Sequence, residues 1–583
     1  MSRYRVISRQ PLLCGFASGL LLALAACSAS NSEHPSAPVA REKLAGAVAE
    51  DARTQESRAQ PLEQKAESAK YAIAGMAMPS LVAPTPMSEA LPPGYRDVSR
   101  EQYQKLADNP IYAVAETPVS TFSIDVDTGS YANVRRFLND GRLPPEEAVR
   151  LEELVNYFSY AYPLPKGDTP FGVSTELAIS PWNANSRLLK VAIKASDLQV
   201  EQLPAANLVF LVDVSGSMDR REGLPMVQST LKLLVAQLRA QDKVSLVVYA
   251  GESRVVLEPT SGAQKAKIRA AIDQLTAGGS TAGESGIQLA YQQAQQGFID
   301  KGINRILLAT DGDFNVGISD FETLKKLAAD KRKSGISLTT LGFGTDNYNE
   351  QLMEQLADAG DGNYAYIDNL REARKVLVEQ LSSTLAVVAK DVKIQVEFNP
   401  AHVSEYRLLG YENRALKRED FSNDKVDAGE IGAGHTVTAL YEIVPTGSQG
   451  WLEPLRYQST ETTAAKTAEL ALLRIRYKGP QQSQSRLLEV PIKAEQNPTP
   501  IAQASEDLRF AAAVAGFAQQ LKGGQYTGTF DMAASAKLAR GAKGEDRFGL
   551  RAEFVQLVEL AQSLQTVVSS SASTSVPSMT KVD

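Results

Sequence analysis

The sequence predicts an α/β protein whose centre is a doubly wound, mostly parallel sheet, inserted between flanking α+β and β-rich segments. From about residue 203 to 388, short apolar runs alternate with helical patterns, which is typical of a parallel sheet with helices on both faces. The runs that lead into Asp213 and Asp311 are apolar throughout, as in strands buried on both faces. Stretches in the flanking segments alternate with period two, which indicates half-buried antiparallel strands.

Residues 1–26 predict a secretory signal peptide. A basic start with several arginines precedes the apolar stretch 12–26, which is too short for a spanning helix. This stretch ends in Leu-Ala-Ala-Cys, which resembles a bacterial lipobox. The resemblance implies cleavage before Cys27 and acylation of that residue, and therefore a lipid anchor. A plain secretory signal that leaves Cys27 free is the alternative.

The residue after the lipobox cysteine indicates which membrane would hold the protein. Ser28 follows Cys27, whereas an inner-membrane retention signal of such lipoproteins has Asp at this position. We therefore expect an outer-membrane lipoprotein that faces the periplasm or the cell surface. The membrane would then be a partner only through this N-terminal anchor.

Residues 27–97 predict a flexible tether, because they are rich in Ala, Pro, Ser and Glu and lack a sustained apolar period. Cys14 and Cys27 are the only cysteines, so we expect no internal disulfide. The formal net charge of −7 argues against nucleic acid as a partner, and removal of the basic signal makes it more negative.

Residues 98–202 predict an α+β domain. Strands are expected at 121–126, 171–182 and 187–195, and helical spacing occurs at 134–138 and 149–158. The tetrapeptide Asp-Thr-Gly-Ser at 127–130 also occurs in aspartic-protease loops, which need two such carboxylates. A second Asp-Thr-Gly or Asp-Ser-Gly is absent from the sequence, so we expect Asp127 or Ser130 to cap the following helix instead.

The candidate site begins where the first buried strand of the central region ends. Asp213, Ser215 and Ser217 form a D-x-S-x-S loop, and open α/β sheets place their ligands at this edge. Oxygen donors of this kind suit Mg²⁺ or Mn²⁺ better than zinc, but three of them cannot fill an octahedron. Two later stretches offer further oxygens, one ending in Thr281 and the other in Asp311.

These three stretches together resemble the von Willebrand factor A domain and its metal-ion-dependent adhesion site, over about residues 203–388. The resemblance implies the metal ligands Asp213, Ser215, Ser217, Thr281 and Asp311. It implies Mg²⁺, or Mn²⁺ or Ca²⁺, with one coordination position open to an acidic side chain of a protein partner. The alternative is that these are ordinary turn residues, for which Asp, Ser and Gly are well suited.

A second metal motif overlaps the end of the second buried strand. The loop from Asp311 to Glu322 half matches an EF-hand, but its sixth position is Val316 where that loop needs Gly. The element before it is a predicted strand rather than a helix. Glu322 also fits a capping box with Ser319, so we reject the EF-hand interpretation.

The remaining elements of the central region are predicted from periodicity. Strands are predicted at 243–250, 254–257, 336–344 and 363–367. Helices are predicted around 227–238, 268–275, 287–294, 321–328 and 350–359.

The chain beyond residue 388 changes character. Residues 389–500 predict a β-rich domain with strands at 392–398, 436–444 and 473–477; residues 501–568 predict helices, and 569–583 a disordered tail. This half resembles the region that follows the A domain in a family of bacterial A-domain lipoproteins. Each group of flanking strands is small for a stable sheet. We therefore predict that the strands at 171–195 pair with those at 392–477, with the A domain inserted between them.

The sequence predicts a binding protein rather than an enzyme. The histidines His34, His402 and His435 are remote in sequence from Ser215 and Ser217, so no catalytic triad is indicated. A Gly-rich loop with a lysine after a strand is also absent from the sequence. We expect an outer-membrane-tethered, divalent-metal-dependent protein-binding module for adhesion or assembly. The alternatives are a structural scaffold that binds metal only for stability, and a metal-dependent hydrolase using the residue at 313 as base.

Overall fold

The structure, a computed structural model, describes residues 101–124, 127–198, 200–279, 283–312, 321–345, 348–453, 468–494 and 499–573. The predictions about the signal peptide, Cys27, the tether, Thr281 and the Ser319 capping box lie outside the described residues. None of the described helices is both long and apolar enough to cross a membrane.

The chain forms strands and helices in the following order. The strands are β1 (Tyr112–Ala113), β2 (Val119–Ser123), β3 (Phe171–Ile179), β4 (Arg187–Ala195), β5 (Ala206–Asp213), β6 (Lys243–Tyr249), β7 (Ser253–Ser261), β8 (Ile303–Thr310), β9 (Ser337–Gly342), β10 (Tyr364–Tyr366), β11 (Val387–Phe398), β12 (Val403–Leu409), β13 (Ile431–Gly432), β14 (Thr436–Pro445), β15 (Glu469–Lys478) and β16 (Arg486–Lys493). The helices are α1 (Gly129–Asn139), α2 (Leu151–Asn156), α3 (Leu224–Gln237), α4 (Lys265–Asp273), α5 (Gly283–Gln296), α6 (Phe321–Arg332), α7 (Glu350–Ala359), α8 (Leu370–Arg374), α9 (Leu381–Leu385), α10 (Glu506–Leu521), α11 (Met532–Arg540) and α12 (Leu550–Ser573).

The central sheet has the strand order β10-β9-β8-β5-β6-β7. Its strands pair in parallel except β6 and β7, which are antiparallel. Every residue of β5 is buried, as expected from its apolar run at 208–212. Because β5 and β8 are parallel neighbours, Asp213 and Asp311 lie at adjacent strand ends on one edge of the sheet. The predicted doubly wound, mostly parallel fold is confirmed.

Two antiparallel sheets flank this region. One has the order β1-β12-β14-β4-β3, and the other has the order β13-β11-β15-β16, with β2 also paired to β11. β4 pairs with β14 over its length, from Arg187 opposite Ile443 to Lys194 opposite Thr436. Strands before and after the central region therefore share sheets and one hydrophobic core. The predicted pairing across an inserted A domain is confirmed.

The C-terminal helices pack on the N-terminal segment. Phe158 of that segment contacts Phe510 of α10 and Phe554 of α12, with ring centroids 4.8 and 5.7 Å apart, in a core that also holds residues of α1, α2 and β4. Helical periodicity predicted α10 and α12 but missed α11, which is short and rich in alanine. The period-two patterns in the sequence did not predict the strands β12 and β16. The helix α12 extends to Ser573, beyond the predicted start of the tail at residue 569.

The predicted capping role of Asp127 and Ser130 is wrong. The N-cap residue of α1 is Thr128, which makes no capping hydrogen bond with its side chain, and the Ser130 amide in the first turn donates instead to the Glu153 carboxylate at 2.8 Å. Asp127 instead accepts a hydrogen bond from the Tyr364 amide at 2.8 Å and pairs with Arg414 at 3.0 Å. The hydroxyl of Ser130 donates to the carbonyl oxygen of Ala148 at 2.7 Å. Both side chains are used for long-range contacts, which compete with a local cap and cannot be read from local sequence.

Candidate metal centre

Asp213 is held in one orientation at the end of β5. It is fully buried, and its Oδ1 accepts a hydrogen bond from the Ser215 amide at 2.9 Å. Its Oδ2 accepts from the hydroxyls of Thr310, at 2.9 Å, and Tyr249, at 3.3 Å. These donors lie on the two strands beside β5, namely β8 and β6. The carboxylate is therefore positioned by the central sheet before any ligand binds.

The two serines of the D-x-S-x-S loop lie together. The Oγ atoms of Ser215 and Ser217 are 3.0 Å apart; Ser215 is buried and Ser217 is partly exposed. The Gly216 amide donates to the Gly279 carbonyl at 3.0 Å, and the Gly278 amide donates to the Val214 carbonyl at 2.8 Å. The loop that leads towards Thr281 is thus hydrogen-bonded to the serine loop, although Thr281 itself lies outside the described residues.

Asp311 comes directly after β8 and is 1% exposed. The next residue, Gly312, has a φ of +82°, and a Cβ there would lie 2.9 Å from the backbone nitrogen of Asn349. Only glycine therefore fits this turn without strain. Burial, and then the nearby carboxylate of Asp311, raise the pKa of Asp213 to about 6, while hydrogen bonds from Ser215 and Thr310 oppose the rise.

The donor set fits a hard divalent cation. It consists of two buried carboxylates and two serine hydroxyls, which are the oxygen ligands that Mg²⁺ prefers, and a bound cation would offset the repulsion between the carboxylates. Within the described part of the chain, no three His, Cys, Asp or Glu side chains form a metal-binding group. A site of the zinc type built from such side chains is therefore not found there.

Sequence reasoning missed two residues of this centre. Thr310 and Tyr249 orient Asp213, yet neither was assigned a function. Thr310 precedes Asp311 at the end of the same predicted strand, so its position was a usable signal. Tyr249 lies opposite Asp213 only through the β5–β6 register, which local sequence does not specify.

Arg220 joins two loops at the rim of the site. Its Nε donates to the carbonyl oxygen of Ser217 at 2.8 Å, and a terminal guanidinium nitrogen donates to that of Thr345 at 3.0 Å. Arg220 is partly exposed, and the neighbouring Arg221 is exposed. Positive charge therefore lies beside the partly exposed serine.

The fold and the site together define a protein with a von Willebrand factor type A domain. The family model for that domain matches residues 207–380, and a model described as von Willebrand factor matches residues 97–190. The chain belongs to the family of the uncharacterized protein YfbK: residues 383–564 match the model for the C-terminal region of that protein. The resemblance to the A domain is thereby confirmed.

Two similar proteins have no described function. The uncharacterized protein YfbK of Escherichia coli (strain K12) is 52% identical over 475 residues, which cover 80% of this chain and 82% of that protein. The uncharacterized protein sll0103 of Synechocystis is 33% identical over 190 residues, which cover 32% of this chain and 44% of that protein. Among solved structures, a von Willebrand factor type A protein from Catenulispora acidiphila is 16% identical, with a TM-score of 0.38, and the match covers 68% of this chain and 91% of that one.

Proposed function

We propose that this protein is a divalent-metal-dependent protein-binding module held at the outer membrane by a lipid on Cys27. The observation that carries the proposal is the burial of Asp213 and Asp311 at one sheet edge, beside paired serine hydroxyls. Domains of this type commonly mediate protein binding, which supports a role in adhesion or assembly. We propose Mg²⁺ as the ion, with Mn²⁺ or Ca²⁺ as the alternatives.

The residues that would hold the ion are Asp213, Ser215, Ser217 and Asp311, together with Thr281. Bound there, the cation would supply a Lewis-acidic position for an oxygen ligand. Only two of these donors carry charge, so the ion and its carboxylates sum to about zero, and no excess negative charge would repel an acidic side chain of a partner. The partly exposed Ser217 and the nearby Arg220 support an approach from that side.

Two other functions are the alternatives to this proposal. A scaffold would bind metal only for stability, and a hydrolase would need a general base beside an activated water. His402 and His435 lie in turns that lead into β12 and β14, in the antiparallel part of the protein. Burial lowers the pKa of His435 to about 4, so this histidine is neutral near pH 7. The position of both histidines in the antiparallel part supports our proposal that the protein is not an enzyme.

Capture of partners from a membrane extract tests this function. We expect the full-length protein to retain a partner in Mg²⁺, to release it in EDTA and to bind it again when Mg²⁺ is restored. The variant Asp213→Ala should capture nothing, because the first loop loses its charged ligand. Asp219→Ala is the matched control, since Asp219 is an exposed acid just after the same loop, and it should behave as wild type. Capture of a partner that persists in EDTA and in the Asp213→Ala variant would favour the scaffold function.

A second variant separates metal binding from partner binding. Thr281→Ala leaves both carboxylates in place, so we expect metal still to bind, with reduced affinity. Partner capture should fall much further, because the geometry that accepts the partner is changed. Calorimetry with Mg²⁺ and the capture assay measure the two effects on the same protein. Equal losses in both assays would contradict a separate role for Thr281.

The lipid anchor has its own test. Metabolic labelling with a clickable fatty acid should mark the wild-type protein but not Cys27→Ser. Cys14→Ser is the matched control, because Cys14 lies inside the predicted signal and should not affect labelling. Equal labelling of wild type and Cys27→Ser would disprove the lipoprotein assignment and leave the metal-dependent function to be judged separately.

A further inference from the structure

A short segment at the start of the described chain is hydrogen-bonded to the A domain. We call residues 101–104 the strap. The Gln102 amide donates to the carbonyl oxygen of Tyr348 at 2.9 Å, and the Glu350 amide donates to the carbonyl oxygen of Gln102 at 3.2 Å. The Asn349 side chain adds a hydrogen bond to Gln102 Oε1 at 3.3 Å. The strap therefore runs parallel to residues 348–350 and pairs with them.

Residues 348–350 lie against the turn that follows Asp311, on the candidate metal centre. A Cβ on Gly312 would lie 2.9 Å from the backbone nitrogen of Asn349 and 3.3 Å from its Cβ. Gly312 is the residue after Asp311, so Asn349 limits where the Asp311 turn can lie. Asn349 is also fixed on its other side, because its side chain caps α7 by accepting from the Leu352 amide at 3.0 Å. A shift of residues 348–350 would therefore change the position of Asp311.

The strap is held on its opposite side by the N-terminal α+β segment. Arg136 of α1 pairs with Glu101 at 2.9 Å, and the Asn133 side chain of α1 donates to the Tyr103 hydroxyl at 2.7 Å. Arg150, at the start of α2, donates to the carbonyl oxygen of Gln104 at 3.0 Å. Both arginines are buried, so these contacts are shielded from solvent. The strap thus connects the N-terminal segment to residues 348–350, and Arg150 also pairs directly with Glu350 at 3.8 Å.

We propose that the strap positions the metal centre: it holds residues 348–350 against Gly312 and thereby sets the location of Asp311. Gln102 is the main positioning residue, since its backbone makes both pairing hydrogen bonds. This inference rests on the proposed function, because it concerns the same metal site. Binding linkage makes the coupling reciprocal, so a bound ion must stabilise the pairing of the strap as much as the pairing favours the ion.

A pair of substitutions in the full-length protein tests the positioning role. Gln102→Pro removes the amide that donates to Tyr348, whereas Gln102→Ala keeps both backbone hydrogen bonds and loses only the side-chain contact. We expect Gln102→Pro to weaken Mg²⁺ binding about tenfold, as changes behind metal ligands commonly do. Gln102→Ala should bind Mg²⁺ as wild type does, because both backbone hydrogen bonds remain. Calorimetry measures the affinities, and urea unfolding without metal shows whether the variants are folded.

Hydrogen exchange on the wild-type protein supplies a measurement that needs no variant. Saturating Mg²⁺ should slow hydrogen exchange of the Gln102 and Glu350 amides. The ratio of their exchange rates without and with Mg²⁺ should be about the ratio of the Mg²⁺ affinities of wild type and Gln102→Pro. A strap without this role would be slowed no more than amides remote from the site, which follow only the gain in global stability. The positioning role would be overturned if wild type binds Mg²⁺ but the ion slows its strap amides no more than those remote amides, and if Gln102→Pro and Gln102→Ala bind Mg²⁺ equally well. That result would leave the proposed function intact. Absence of Mg²⁺ binding in wild type would overturn the proposed function as well.

Discussion

Mg²⁺ at a hundred times its dissociation constant should raise the free energy of unfolding by about 2.7 kcal/mol. The gain would arise because the proposed ligands Asp213 and Asp311 are brought together only in the folded protein, on adjacent strand ends. The substitution Asp213→Ala should abolish it, since one of the two buried carboxylates is lost. Urea unfolding with and without Mg²⁺ measures the gain for each protein.

The exposed residue Asp219 again supplies the control for this prediction. Asp219→Ala changes the net charge by the same amount as Asp213→Ala, but we expect it to keep the full Mg²⁺-dependent gain. A gain that persists in Asp213→Ala would show that Mg²⁺ acts elsewhere on the protein. A gain absent from wild type at millimolar Mg²⁺, with Mn²⁺ and Ca²⁺ also inactive, would refute the metal centre.

Arg135→Ala should cost about 3–5 kcal/mol of stability, the range expected when one partner of a buried ion pair is removed. Arg135 of α1 is fully buried and pairs with Asp368 at 2.6 Å and with Glu372 at 2.8 Å. It also contacts Glu553 of α12 at 3.2 Å. Without the guanidinium, the buried Asp368 carboxylate would lose both of its hydrogen bonds from Arg135, whereas Glu372 would keep Lys375 at 3.4 Å. The N-terminal segment, the A domain and the C-terminal helices would lose a common contact.

A nearby exposed arginine provides the comparison. Arg142 is 55% exposed and lies 3.7 Å from Asp140, so Arg142→Ala should change stability by less than about 0.5 kcal/mol. Urea unfolding followed by circular dichroism and by tyrosine fluorescence measures both variants and reveals any separate transition of the A domain. Similar small losses for Arg135→Ala and Arg142→Ala would contradict the importance of the buried network.

Local patterns predicted the central fold and part of its site. The apolar run of β5 and the D-x-S-x-S loop after it are consecutive in the chain, so periodicity and residue type were sufficient to interpret them. The same method failed for Asp127, where a local cap was expected and the side chain instead contacts Tyr364 and Arg414. It also passed over Arg135, because nothing near that residue in sequence indicates that Asp368, Glu372 and Glu553 meet it.

The sequence by itself determined the α/β class, the strand ends that carry Asp213 and Asp311, and the hard-oxygen character of their loops. Each of these depends on residues adjacent in the chain, whose spacing sets which face of an element is buried and which side chains lie at the end of a strand. The tertiary structure alone decided that Tyr249 and Thr310 orient Asp213 and that the strap lies behind Gly312. Those contacts depend on strand register and on packing between distant segments, which local periodicity does not specify.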